Sequence, residues 1–176
     1  MEFKQTQQAL YDFANSVIKQ AKGNLARHKK NRFITGNSSG QLSNSLGYSM
    51  KGLDVQFYMA EYGVYQDEGV KGSKTTYDKS KNSRFSYTNK RPPSQPLADW
   101  AKAKNIRLRD DKGRFKKGNY KSIGYILAKN IFEKGLRASF FFTKPFEQNL
   151  DKLENNLAEK FALDIDDLIQ FTQWAK

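Results

Sequence analysis

The chain contains no cysteine and a single histidine, His28. The first absence excludes disulfides, thiolate zinc sites, iron–sulfur ligation and cysteine nucleophiles. The second leaves most metal sites without a ligand and the usual serine triads without a base. His28 itself lies in a basic run at the end of a helical pattern, where a cation interacts well with the helix dipole. The catalytic groups that remain are carboxylates, Lys, Tyr and Arg, none diagnostic alone, so the composition argues against an enzyme and implies no cofactor. No run approaches the roughly 18 apolar residues of a membrane helix, and the polar stretch 1–10 lacks the apolar core of a secretion signal. The expectation is a soluble protein that stays in the cell that makes it and has no membrane partner.

Aromatic residues and positive charge are abundant. With 13 Phe, 9 Tyr and 2 Trp among 176 residues there is material for a core, and the length suits a single domain spanning 1–176. Lys and Arg number 31 against 18 Asp and Glu, a net charge of +13 that favours polyanionic partners at low salt. The excess is uneven: residues 69–121 hold 16 basic and 4 acidic groups, whereas 145–176 hold 3 basic and 7 acidic. A basic middle and an acidic end can attract each other between neighbouring copies as readily as the middle attracts nucleic acid.

Leu10, Phe13, Ala14, Val17, Ile18, Ala21 and Leu25 recur at steps of three and four, which predicts a helix from Lys4 to about Arg27. The polar run from Thr35-Gly36 to Gly40 reads as a loop, and Gln41 to Leu46 as a short helical turn. Tyr48 to Met50 and Leu53 to Ala60 predict a half-buried hairpin around Lys51-Gly52, since Leu53, Val55, Phe57 and Met59 alternate with polar positions. Residues 69–93 are nearly devoid of aliphatic side chains and read as a long mobile loop closed by Pro92, Pro93 and Pro96. A short helix follows through Leu97, Trp100 and Ala101, with Ser94 as its candidate cap, and Lys112-Gly113 and Lys117-Gly118 mark turns. Ile123, Leu127 and Ile131 predict a helix ending at Gly135. Phe140-Phe141-Phe142 fits a buried strand or an aromatic plug, and the spacing from Phe146 to Ile169 predicts a last helix with a break near Leu163.

Three constellations bear on chemistry. Gly69-Val70-Lys71-Gly72-Ser73-Lys74-Thr75 resembles a phosphate-cradling loop only in composition, because Ser73 stands where that motif requires Gly before the Lys. Glu61, Asp67 and Glu68 gather near Tyr62 and Tyr65, and such acids could bind Mg²⁺ in a nuclease, or meet a basic neighbour at a surface loop. Lys71 to Lys90 interleaves Tyr77, Phe85 and Tyr87 with Lys74, Lys79, Lys81 and Arg84, a mixture that tracks a phosphate backbone and stacks on bases without sequence preference. A solvated flexible loop is the competing account of that segment.

The order of short motifs resembles the tail-completion, or head–tail joining (neck), proteins of long-tailed bacteriophages. The resemblance rests on Thr35-Gly36 with Leu42-Ser43-Asn44-Ser45-Leu46, on Glu61-Tyr62-Gly63-Val64-Tyr65-Gln66-Asp67-Glu68-Gly69, and on Phe140-Phe141-Phe142-Thr143-Lys144-Pro145-Phe146 leading into the last helix. It implies an α+β fold, a small antiparallel sheet flanked by N-terminal and C-terminal helices, here with a long basic loop. It also implies a non-enzymatic virion protein, made in the host cytoplasm and forming a ring, usually sixfold, around the DNA channel between connector and tail tube. A tail terminator is a related alternative. Within that frame Tyr62, Tyr65, Asp67, Glu68 and Gly69 are the expected subunit-contact corner. Lys71, Lys74, Lys79, Lys81, Arg84, Lys90, Arg91, Arg107, Arg109, Arg114, Lys116 and Lys117 are expected to meet DNA or a neighbouring protein. Outside the resemblance, the basic segment 69–121 supports a non-specific nucleic-acid-binding protein.

Overall fold

A computed structural model describes residues 3–27, 40–116 and 118–174. His28, the Thr35-Gly36 loop and Lys117 lie outside the described residues. The elements in chain order are α1 (Lys4–Arg27), α2 (Gln41–Ser45), β1 (Gly47–Lys51), β2 (Asp54–Tyr58), α3 (Gly63–Glu68), β3 (Val70–Lys71), a 3₁₀ turn (Asp78–Ser80), α4 (Ser94–Ala103), α5 (Tyr120–Lys134), β4 (Gly135–Leu136) and α6 (Thr143–Trp174). The fold is α+β, with antiparallel two-stranded pairs β1–β2 and β3–β4. The chain divides into two compact units, Met1–Gly63 with Phe140–Lys176 and Val64–Ser139, a finer division than the single domain read from the length.

In the first unit α1 packs along α6. The expected stripe is the buried face: Ala14, Val17 and Ala21 are fully enclosed, and the two alanines leave room for close approach. Phe13 and Val17 meet Leu153, with Phe146, Leu150 and Leu157 completing the α6 side. The aromatic excess is used here. Phe57 of β2 has its ring centroid 6.0 Å from Phe13, 5.5 Å from Phe142 and 5.8 Å from Phe146, each pair edge to face. The hairpin pairs Gly47 with Tyr58 through Lys51 with Asp54, so Gly52 and Leu53 form its two-residue loop, and Gly52 takes a left-handed φ of 61°.

Two expectations are corrected in this unit. Phe140-Phe141-Phe142 is a turn and not a strand, since Phe140 adopts a left-handed φ of 52° that interrupts an extended run. Phe141 is the plug: 1% exposed, it is enclosed with Ala21, Leu25, Leu42 and Leu46. The break expected near Leu163 is absent, and α6 runs without interruption for 32 residues.

Asp164, on α6, closes the N-terminus of α1. Its carboxylate accepts hydrogen bonds from Thr6 Oγ1 at 2.7 Å and from the backbone N–H groups of Thr6 at 2.8 Å and Gln5 at 3.0 Å. These amides belong to the first helical turn, where no intrahelical acceptor exists. Desolvation pushes the Asp164 carboxyl up, but the hydrogen bonds from Thr6 and Gln5 outweigh it and hold the group below the usual carboxylate value. Stability from a depressed carboxylate is complete above its unfolded pKa of about 4 and is lost as pH falls through the lower folded value. Melting temperature is therefore expected to drop in that acid window. Asp164→Asn should be less stable near neutral pH and should flatten the acid drop, as read by circular dichroism melts across the pH range. An undiminished drop in the variant would place the acid sensitivity on other carboxylates.

In the second unit α4 packs on α5. Ala98, Ala101, Gly124 and Ala128 form the small-residue seam, so tight at Gly124 that a Cβ there would stand 2.8 Å from the Cβ of Ala98. The segment 69–93, expected to be mobile, is irregular but tied down. Ser80, fully buried, donates to the Leu136 carbonyl at 2.7 Å and accepts from the Ala138 amide at 2.8 Å. Ser83 donates to the Gly69 carbonyl at 2.8 Å, and the amides of Ser73, Lys74 and Thr75 reach the Phe132 and Glu133 carbonyls at 2.9 to 3.0 Å. Those carbonyls end α5 and would otherwise lack partners. Polar side chains and backbone therefore do what the missing aliphatics would do by burial, which composition alone does not reveal. The cap of α4 also differs: Pro93 occupies the N-cap position and Ser94 is the first helical residue.

Candidate interaction surface

Charge follows the division into units. The Val64–Ser139 unit holds 19 Lys and Arg against 7 Asp and Glu, a net +12 of the chain's +13. Helix α6 holds 7 acidic and 3 basic residues, a net −4. The folded protein thus has one strongly basic body and one long acidic helix.

The expected contact corner separates into inward and outward residues. Tyr62 and Tyr65 are exposed, whereas Asp67 is 4% exposed and buried. Gly69 is also internal: its φ is 74°, and a Cβ would stand 2.6 Å from both the Ala138 amide nitrogen and the Leu136 carbonyl oxygen. Asp67 and Gly69 therefore serve the packing of this unit. Glu68 faces the basic segment and pairs with Arg84 at 2.9 Å, while Arg84 lies 4.9 Å over the Phe85 ring and Phe85 stands edge-on to Tyr65 at 4.5 Å. Tyr65, Glu68, Arg84 and Phe85 form one cluster. Among the described residues no group of three or more His, Cys, Asp or Glu is placed to hold a metal ion, so Glu61, Asp67 and Glu68 do not gather into one.

The basic residues fall into three settings. Lys74 pairs with Glu133 at 2.8 Å, Lys81 with Asp78 at 2.8 Å and Arg114 with Asp110 at 2.9 Å. Exposed pairs of this kind contribute little stability each and leave the donors accessible. Lys79, Lys90 and Lys116 are exposed, and Lys71 is half-buried on β3. Arg91, Arg107 and Arg109 lie over rings: Arg91 is 5.6 Å from the centre of Tyr125, and Arg107 and Arg109 are 5.8 and 4.5 Å from that of Phe115. Arg91 also donates to the Tyr125 hydroxyl at 3.1 Å, which favours the phenolate and draws that group below its usual pKa.

Within 71–90 the aromatics expected to stack on bases are partly turned inward. Phe85 contacts Tyr65, and Tyr87, whose phenol is pushed up by burial, packs 6.2 Å from Phe132, leaving Tyr77 exposed. The most open aromatic of the basic unit is Phe115, 64% exposed, which sequence reasoning passed over. Its signal was a lone aromatic between Lys112-Gly113 and Lys117-Gly118 in a run otherwise basic.

Phe115 sits on a small antiparallel ribbon. Arg109 bridges Phe115, the Lys116 amide donates to the Leu108 carbonyl at 2.9 Å and the Asp110 amide to the Arg114 carbonyl at 2.8 Å. Asp110 Oδ1 accepts from the amides of Lys112 at 3.0 Å and Arg114 at 2.8 Å, and Gly113, with φ 77°, makes the reversal. Beside the ring opens a groove of about 350 Å³, walled by Ile106, Leu108, Tyr120 and Ile123 and flanked by Arg107 and Lys116.

Compared with protein-family models, curated proteins and solved structures, the chain matches none.

Proposed function

We propose that this protein is a structural virion protein of a tailed bacteriophage, a ring-forming neck or tail-completion component at the head–tail interface around the DNA channel. The motif order that resembles that family motivates the reading. The observation that carries it in the fold is the segregation of a +12 body from a −4 helix within one chain. A ring built head to tail needs two different complementary faces on every copy and no reacting group. Helix α6 adds apolar surface to its charge, with Leu163 exposed one turn before Asp166 and Asp167.

The test is peptide mass spectrometry on purified particles, with intensities scaled to a component of known copy number. About six copies per particle, or a small multiple, is the expected result for a closed ring. Absence from clean particles overturns the reading. Purified protein is further expected to self-associate at low salt and to dissociate as ionic strength rises, because exposed complementary charges are screened over about 10 Å at 0.1 M.

The charge of the second unit also favours a second reading, non-specific nucleic-acid binding through 69–121. Affinity set by phosphate contacts falls steeply with salt and is indifferent to base sequence. Salt-independent or absent binding would remove that account.

A further inference from the structure

We propose that the Arg107–Lys116 ribbon is a binding site for single-stranded nucleic acid, with a base stacked on Phe115 beside the groove and the adjoining phosphates held by Arg107, Arg109 and Lys116. The inference rests on the nucleic-acid reading above and is independent of the ring.

Three observations converge on it. Phe115 is 64% exposed although it carries two guanidinium groups within 6 Å, so an open aromatic surface is placed amid cations. Bases of any identity stack on such a surface, and a neighbouring cation holds the phosphate that follows. The ribbon is built before any ligand arrives: Asp110 ties both sides of the turn, and Arg109 donates to the Gly113 carbonyl at 2.9 Å, which fixes its guanidinium over the ring. Preorganised groups lose less freedom on binding. The groove of about 350 Å³ next to the ring is lined by Ile106, Leu108, Tyr120 and Ile123 with cations at its edge, and it opens where α5 begins, so the positive end of that helix adds to the attraction for an anion.

A base paired in a duplex cannot offer its face to Phe115, whereas an unpaired one can. An acidic protein segment satisfies the arginines and leaves the ring unused. Single strands are therefore the occupant that uses both parts of the site.

The experiment is fluorescence anisotropy of the full chain with a labelled oligothymidylate of about 20 nucleotides, enough to cover one site. Phe115→Ala is expected to weaken binding about tenfold or more, the worth of one stacked base, and Phe115→Trp to retain it. Arg107→Ala and Arg109→Ala should each lower the slope of log affinity against log salt by about 0.7. Lys51→Ala, which removes an exposed cation of the hairpin outside 69–121, should leave binding unchanged. If wild type binds and Phe115→Ala binds equally well, the basic unit binds nucleic acid but this site is wrong. If wild type does not bind, both the site and the reading beneath it fall. Equal affinity for a duplex of matched length, or equal competition by polyglutamate, would also overturn the site, because charge alone would then explain the binding.

Discussion

Gly135→Ala is expected to destabilise the Val64–Ser139 unit by about 2–6 kcal/mol while leaving α1 and α6 helical. Gly135 ends α5 and opens β4 with φ 79° and ψ −169°, a region open to glycine and closed to residues with a Cβ. Nor is there space for one, since an added Cβ would stand 2.6 Å from the Gly72 amide nitrogen and closer still to the Val70 carbonyl oxygen. Both neighbours are backbone and cannot rotate away. Strain of about 1–3 kcal/mol and overpacking of about 1–3 kcal/mol add at one site, against a total stability of order 5–15 kcal/mol for a domain. Hydrogen exchange should show lost protection in 70–75 and 120–138 with α1 and α6 still protected. Uniform wild-type protection would mean that the β3–β4 pairing moves aside at little cost, contrary to the close approach seen.

Phe141→Ala should be the most damaging truncation in the other unit, lowering stability by about 3–5 kcal/mol and the melting temperature by about 6–20 °C. The ring is 1% exposed and is enclosed by residues from α1, from α2 and from the turn after it: Ala21, Leu25, Leu42 and Leu46. The Asn24 side chain of α1 ties that turn, its Nδ2 donating to the Phe141 carbonyl at 3.3 Å, which limits how far the surroundings can close over the cavity. Phe140→Ala and Phe142→Ala, whose side chains are less enclosed, should cost less. A smaller loss for Phe141→Ala than for its neighbours would contradict the plug. Thermal melts of the three variants settle the order.

Much of the fold was legible in the sequence because helices with a strong apolar stripe declare themselves locally. The α1 boundaries, the hairpin, α4, α5 with its glycine C-cap and the body of α6 all follow from spacing within a dozen residues, whereas α6 begins at Thr143, nearly a turn before the expected Phe146. The misreadings arose where the deciding contact lies far along the chain. Residues 69–93 looked mobile because they lack aliphatics, yet Ser80 is bound to Leu136 and Ala138, and Ser73 to Phe132. The Leu163 break was read from local pattern, whereas Asp164 is committed to Thr6 across the helix pair.

The candidate surface was legible in charge and not in geometry. Counting Lys and Arg locates the basic region, but it does not show that Phe85 packs edge-on to Tyr65 with Arg84 over its ring, or that Tyr87 packs against Phe132. Equally, Asp67 and Glu68 are adjacent carboxylates with no sequence feature to tell them apart, and folding buries the first while pairing the second with Arg84.

The sequence by itself determined the classes of chemistry closed to this protein, the helical content and the excess of positive charge, because composition and short-range periodicity depend on neighbouring residues alone. Tertiary structure decided which polar groups are ties and which are surface, and that Phe115 is the most open aromatic of the basic unit. Those outcomes depend on partners that are brought together only when both units close, and a hydroxyl, a carboxylate or a ring carries no mark in the sequence of which partner it will meet.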